Sequence, residues 1–183
     1  MTSEHTTEHL LRAALRLVAT RPVDLWPEEL LSLEQLGPPA PAQGSARDLA
    51  EVRELRDRLA PLVLAPDPAM APAALSALAR EFALTPTVDS LNGPLRHVSP
   101  DPRPVARVAE ALVPAIMRAW EAGLLARVHT CGANDCDTPF LDASPRANRD
   151  YCSDRCATRT RVRRLRVRAA SPGRPAPAPD DGD

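Results

Sequence analysis

The sequence predicts a mainly α protein with one small β-hairpin: a helical N-terminal domain, then a small C-terminal module tied together by four cysteines. Three observations carry this. Apolar residues recur at helical spacing through most of the first 128 positions, with proline-rich breaks between the periodic segments. All four cysteines fall between Cys131 and Cys156. The charge also divides along the chain: residues 1–126 carry 12 Arg against 16 acids, residues 127–170 carry 10 against 5, and residues 171–183 carry 1 against 3. An acidic body followed by a short basic module points to an anionic partner for the module.

Taken in order, residues 7–20 place Leu10, Leu11, Ala14, Leu15, Leu17 and Val18 on one helical stripe, which Pro22 ends. Trp26-Pro27-Glu28-Glu29 opens a second helix running to about Leu36, with proline at a first helical position and acids in the first turn. Residues 46–63 give the cleanest helix: Leu49, Val52, Leu55, Leu59, Leu62 and Val63 form one face. Its other face holds Arg53/Asp57 and Glu54/Arg58 at i,i+4, and Arg56 reads as part of that solvated face. Residues 72–84 form a helix through Leu75, Leu78 and Phe82. Across 85–99, Thr87-Val88, the turn pair Asn92-Gly93 and Leu95 to Val98 suggest a short hairpin, with Pro94 arguing against it. Residues 103–128 return to helix along Val105, Val108, Leu112, Ile116, Ala119 and Trp120, and Pro114 should kink or split it. Trp26 and Trp120 read as core residues. The tail 171–183, rich in Pro, Ala and Asp, is expected to be disordered.

Composition narrows the function classes. The 183 residues suit one mid-sized domain plus a small appendage, or two small domains. With 44% apolar but only 3% aromatic residues, the core must be aliphatic. All 23 basic residues are Arg and 21 residues are Pro, which reflects GC-rich coding rather than function. No apolar run approaches the roughly 18–20 residues of a membrane span, and Met1-Thr2-Ser3-Glu4-His5 lacks the basic-then-apolar order of a signal peptide. A cytoplasmic protein without a membrane partner is expected. Seven Gly, with no phosphate loop, nucleophile elbow or paired-acid motif, argue against an enzyme.

The cysteines are spaced Cys131-x4-Cys136, then 15 residues, then Cys152-x3-Cys156. Two close pairs across a short loop can surround one tetrahedral zinc, and four thiolates leave no open position, so the Zn2+ is structural. Gly132 to Asp135 are turn formers. Cys152 and Cys156 share a face at a helix start that Ser153 or Asp154 can cap, where the helix dipole favours thiolates. About 40 residues cannot build a self-sufficient apolar core, so metal binding would supply the folding energy. The alternative is two redox-active pairs or free thiols; the two readings are compatible, since oxidation would expel the metal.

From Arg155 to Arg168 the chain holds seven Arg in 14 residues, and with Arg146 and Arg149 the span 143–170 has nine Arg against two Asp. Arginine forks grip phosphate and read guanine edges, so this helix suits double-stranded DNA. In that arrangement Val162, Leu165 and Val167 would contact the body. The alternative is a cationic helix pairing with the chain's own acidic body or an acidic protein.

At these residues the chain resembles the CGNR zinc-finger family. Its elements read here as Cys131/Cys136, Phe140-Leu141-Asp142, Arg146 with Arg149, Tyr151-Cys152, and Cys156-Ala157-Thr158-Arg159. The N-terminal portion is similar to the ABATE domain that accompanies this finger, through Leu25-Trp26-Pro27-Glu28-Glu29-Leu30, Leu55-Arg56-Asp57-Arg58-Leu59 and the long helix that feeds the finger. Ala157 and Thr158 replace the family's Gly and Asn, and Tyr151 its usual Trp. The resemblance implies zinc on Cys131, Cys136, Cys152 and Cys156, and a stress-related transcription regulator whose ABATE domain senses or binds a ligand.

Other candidates carry less. His5-Thr6-Thr7-Glu8-His9 matches a metalloprotease pattern but stands at a chain end, where a polar helix start is the simpler reading. His129 could replace a ligand or back one, although four cysteines already complete the site. Asp142 is placed to accept from finger amides or an Arg, and Phe140 to pack within the finger. The expected organisation is 1–127 as a helical ABATE-like domain, 128–170 as a treble-clef-like zinc finger with its Arg helix, and 171–183 as tail. The expected function is a zinc-dependent DNA-binding transcriptional regulator. Arg146, Arg149, Arg155, Arg159, Arg161, Arg163, Arg164 and Arg166 would approach DNA, while the helical domain binds a small-molecule effector, forms a homodimer, or both. The alternatives are a zinc-dependent protein-interaction module and a thiol-based redox sensor.

Overall fold

The computed structural model describes residues 2–19, 45–65, 67, 69–88 and 95–170. The helix expected from Trp26 to Leu36, the Asn92-Gly93 turn and the tail 171–183 lie outside the described residues.

Helix α1, Thr2–Ala19, buries Leu11, Ala14, Leu15 and Val18 and exposes Arg12 and Arg16. Helix α2, Ala46–Leu64, opens on a capping box: Ser45 Oγ accepts from the Asp48 amide at 3.2 Å, and the Asp48 carboxylate accepts from the Ser45 amide at 2.7 Å. The Glu54 charge acts on Arg58 along α2, and Arg58 makes a tertiary pair as well. It forks onto Glu81 at 2.8 and 2.5 Å, through two parallel charge-assisted bonds that outweigh one exposed contact along a helix. Arg56 departs from expectation: it lies 3.0 Å from Asp57 with only 13% of its side chain exposed, partly within the packing.

Helix α3, Ala71–Glu81, stops earlier than expected. Ala83 adopts a left-handed φ of 47°, while the Leu84 amide bonds the Ala79 carbonyl at 2.9 Å and the Ala83 amide bonds that of Arg80 at 3.0 Å. The expected hairpin follows: β1, Thr85–Val88, pairs antiparallel with β2, Leu95–Val98, from Thr85 opposite Val98 to Val88 opposite Leu95. Pro94 lies outside the described residues, and Pro86 is tolerated because both strands of a two-stranded ribbon are edges.

Helix α4, Pro104–Glu121, continues through Pro114 and is not split there. The missing N–H costs a hydrogen bond, but Pro114 is buried and Leu112, Val113 and Ile116 are fully enclosed, so burial on both sides of the proline holds the helix together. These four helices share one aliphatic core around Leu11, Leu55, Leu59, Leu75, Leu112 and Ile116, and Trp120 packs partly buried against it.

Gly123, at a left-handed φ of 68°, turns the chain into a short 3-10 segment, Leu124–Arg127. A second hairpin then forms: β3, Val128–Thr130, pairs with β4, Pro139–Leu141. It went unread because three-residue strands are too short to show an alternating pattern. Leu141 is buried in the same core as Leu11 and Ile116, and α1 packs across β4. Helix α5, Asp154–Ala170, closes the chain. Val162, Leu165 and Val167 were expected against the body but are exposed, because three apolar side chains among this many arginines make no continuous stripe to bury. No described helix is long and apolar enough to cross a membrane.

Candidate metal centre

The β3–β4 hairpin positions the first pair of cysteines. Cys131 follows β3, and its amide bonds the Thr138 carbonyl at 3.0 Å. Between them the chain turns tightly, with the Cys136 amide on the Ala133 carbonyl at 3.0 Å. The start of α5 positions the second pair. Ser153 is the cap, its hydroxyl accepting from the Cys156 amide at 3.3 Å and its carbonyl from the Ala157 amide at 3.1 Å. Gly132 joins the halves: its amide bonds the Asp150 carbonyl at 2.7 Å, and a Cβ there would stand 3.2 Å from that oxygen.

The four Sγ atoms lie within 4.8 Å of one another. Cys136 to Cys152 is 3.8 Å and Cys152 to Cys156 is 3.7 Å. Zn–S bonds of about 2.3 Å at a tetrahedral centre place sulfurs about 3.8 Å apart, so the donors fit zinc. Those separations are far beyond a disulfide bond, and all four cysteines are free. His129 is not a donor; its ring tilts against Phe140 with centroids 6.0 Å apart.

As free thiols, Cys136 and Cys152 would differ sharply. Hydrogen bonds from the Thr138 hydroxyl and then its backbone pull Cys136 down to about 7, whereas burial and the neighbouring sulfurs push Cys152 up to about 12. Four thiolates cannot crowd together uncompensated, and a divalent cation removes that conflict.

The surrounding polar contacts hold the donors. The Cys152 amide points at Cys131 Sγ at 3.5 Å. Arg159 donates toward Cys156 Sγ at 3.6 Å and pairs with Asp135 at 2.9 Å, clamping the first cysteine loop to α5. Asp142, fully buried, accepts from the Ser144 and Arg149 amides, each at 2.8 Å. Those bonds, led by the Arg149 amide and helped by the Arg127 charge, hold its carboxyl down to about 2. Arg127 donates to the Ser144 carbonyl, fixing the same loop. Thr138, Asp135 and Arg127 escaped sequence reading, since their partners stand 2, 24 and 17 residues away and match no short motif.

The arginines divide into two groups. Arg159 is engaged at the centre, and Arg149 stands 3.8 Å from Asp154. Arg146, Arg155, Arg161, Arg163, Arg164 and Arg166 are exposed and have no ion-pair partner among the described residues. At the other end of the sequence, His9 is exposed on α1, and the His5 side chain lies outside the described residues.

No curated protein matches the chain. Residues 127–169, from the last residue before β3 almost to the end of α5, match the CGNR zinc finger family, which agrees with the four-sulfur site and makes this segment similar to a zinc-binding finger.

Proposed function

We propose that the chain is a zinc-dependent, DNA-binding transcriptional regulator and not an enzyme. The observation that carries this is α5: a helix whose start holds two of the four clustered sulfurs, Cys152 just before it and Cys156 in its first turn, and whose exposed length displays arginines without ion-pair partners among the described residues. Zinc supplies folding energy and fixes the angle at which the helix leaves the finger. Arg155, Arg161, Arg163, Arg164 and Arg166 approach phosphates and base edges, Arg146 and Arg149 reach from the preceding loop, and Arg159 keeps the helix oriented. The helical body is read as ABATE-like and as the part that senses an effector, dimerises, or both; a stress-response role in the cytoplasm belongs to the same reading.

Fluorescence anisotropy with duplex DNA across a salt series tests it. Each neutralised phosphate adds roughly 0.9 to the slope of log affinity against log salt, so a slope of about −4 to −7 that collapses on chelation is expected. Zinc-loaded protein without salt-sensitive affinity for any duplex overturns the proposal. The exposed Val162, Leu165 and Val167 favour a second reading, in which α5 meets an acidic protein surface with apolar contacts. A high 260/280 absorbance ratio on purification supports the first reading, and its absence favours the second.

A further inference from the structure

We propose that the cleft between α1 and β4 binds a small amphipathic organic anion, a carboxylate carried on a short aryl or alkyl body. The cleft, about 310 Å³, is at the small end of ligand pockets. Its walls are chemically divided. Leu15, Phe140 and Leu141 give an apolar floor, while Arg12 and Arg16, one turn apart on α1, stand at its side. Both guanidiniums are exposed and have no ion-pair partner among the described residues. Two guanidinium forks select an oxyanion, and the floor rejects a bare one by leaving apolar surface wet. A cation of the same shape meets two like charges. The third element is Thr138, also in the wall, whose hydroxyl lies 3.3 Å from Cys136 Sγ and whose carbonyl holds the Cys131 amide. A ligand here therefore rests on the strand that positions the first pair of zinc donors, and its binding must be reciprocally coupled to theirs. The proposal gives the effector reading of the helical body a place and a ligand chemistry, and rests on that reading rather than on DNA binding.

Calorimetry on the full, zinc-loaded chain without DNA tests it, using 4-phenylbutyrate as the probe. Saturable binding is expected, together with slower removal of zinc by a chelator when the probe is present. The shape-matched cation 4-phenylbutylammonium and inorganic phosphate alone should each bind at least about tenfold more weakly, as should 4-phenylbutyrate to the double variant Arg12→Gln/Arg16→Gln. That variant changes two exposed side chains, so it should keep one zinc per chain and the parent's salt slope on DNA. No binding by the parent chain, equal binding of the cation, phosphate binding as tightly as the probe, or undiminished binding by the double variant each overturns the proposal. None of these outcomes bears on whether the finger binds DNA.

Discussion

Arg159 differs from the other arginines of α5 through its partners. It joins Asp135 on one side of the four-sulfur site to Cys156 on the other, so its loss should be felt by a bound metal. Arg159→Gln should let a chelator strip zinc roughly tenfold faster, in the range found for groups that orient metal ligands. Arg163→Gln should leave that rate unchanged and lower the DNA salt slope by about 0.9. Equal effects of both variants on zinc would refute the division. Asp142 offers a pH test. Its folded pKa of about 2 lies below the ordinary carboxylate range, so its support of the 142–149 loop is complete above that range and fades only as pH falls toward about 2. Asp142→Asn should lower the thermal midpoint by an amount that stays constant from pH 8 to pH 5. A gap that narrows within that window would show that another group is responsible.

At the scale of elements, the end of α3 holds an unrelieved strain. Its terminal hydrogen bonds require a left-handed residue, and alanine occupies the position usually given to glycine. Ala83→Gly should stabilise the protein by about 0.5–1 kcal/mol, after allowing for glycine's greater freedom when unfolded. In a chain of this size that is roughly 1–4 °C in the thermal midpoint, and a calorimetric scan checks it. Helix α5 has the opposite problem. Arg155 and Arg159, then Arg159 and Arg163, then Arg164 and Arg168, are like charges four apart, each pair costing a few tenths of a kcal/mol. Few of its side chains are buried beyond the first two turns, so the Ser153 cap and the metal-anchored start must hold it. Chelation should therefore lower helical circular dichroism at 222 nm, and added zinc should restore it. Unchanged ellipticity would mean that α5 is stable by itself.

For the whole molecule, the finger is attached through the core rather than hung on a linker. Leu141 of β4 is buried with Leu11 and Ile116, and Val128 packs beside them. Zinc removal should thus also lower the thermal midpoint of the helical body, read at Trp120, which packs partly buried against the same core. A body that melts at the same temperature with and without zinc would show the two parts to be independent.

Much of the molecule was legible before any coordinates. The four-cysteine spacing, the long amphipathic stripes and the density of arginine are local patterns, and each arises from chemistry that repeats within a few residues. Such patterns were enough to specify the helical body, the β1–β2 hairpin, the sulfur donors and the cationic helix. They could not determine which arginine would be taken up by Asp135, that Arg58 would pair with Glu81 as well, or that Val162 and Leu165 would face water. Nor could they show that Pro114 would be carried inside a helix that continues past it. These depend on the folded chain, because each outcome weighs a local preference against a partner or a packing surface brought from a distant part of the sequence, and that comparison exists only after folding.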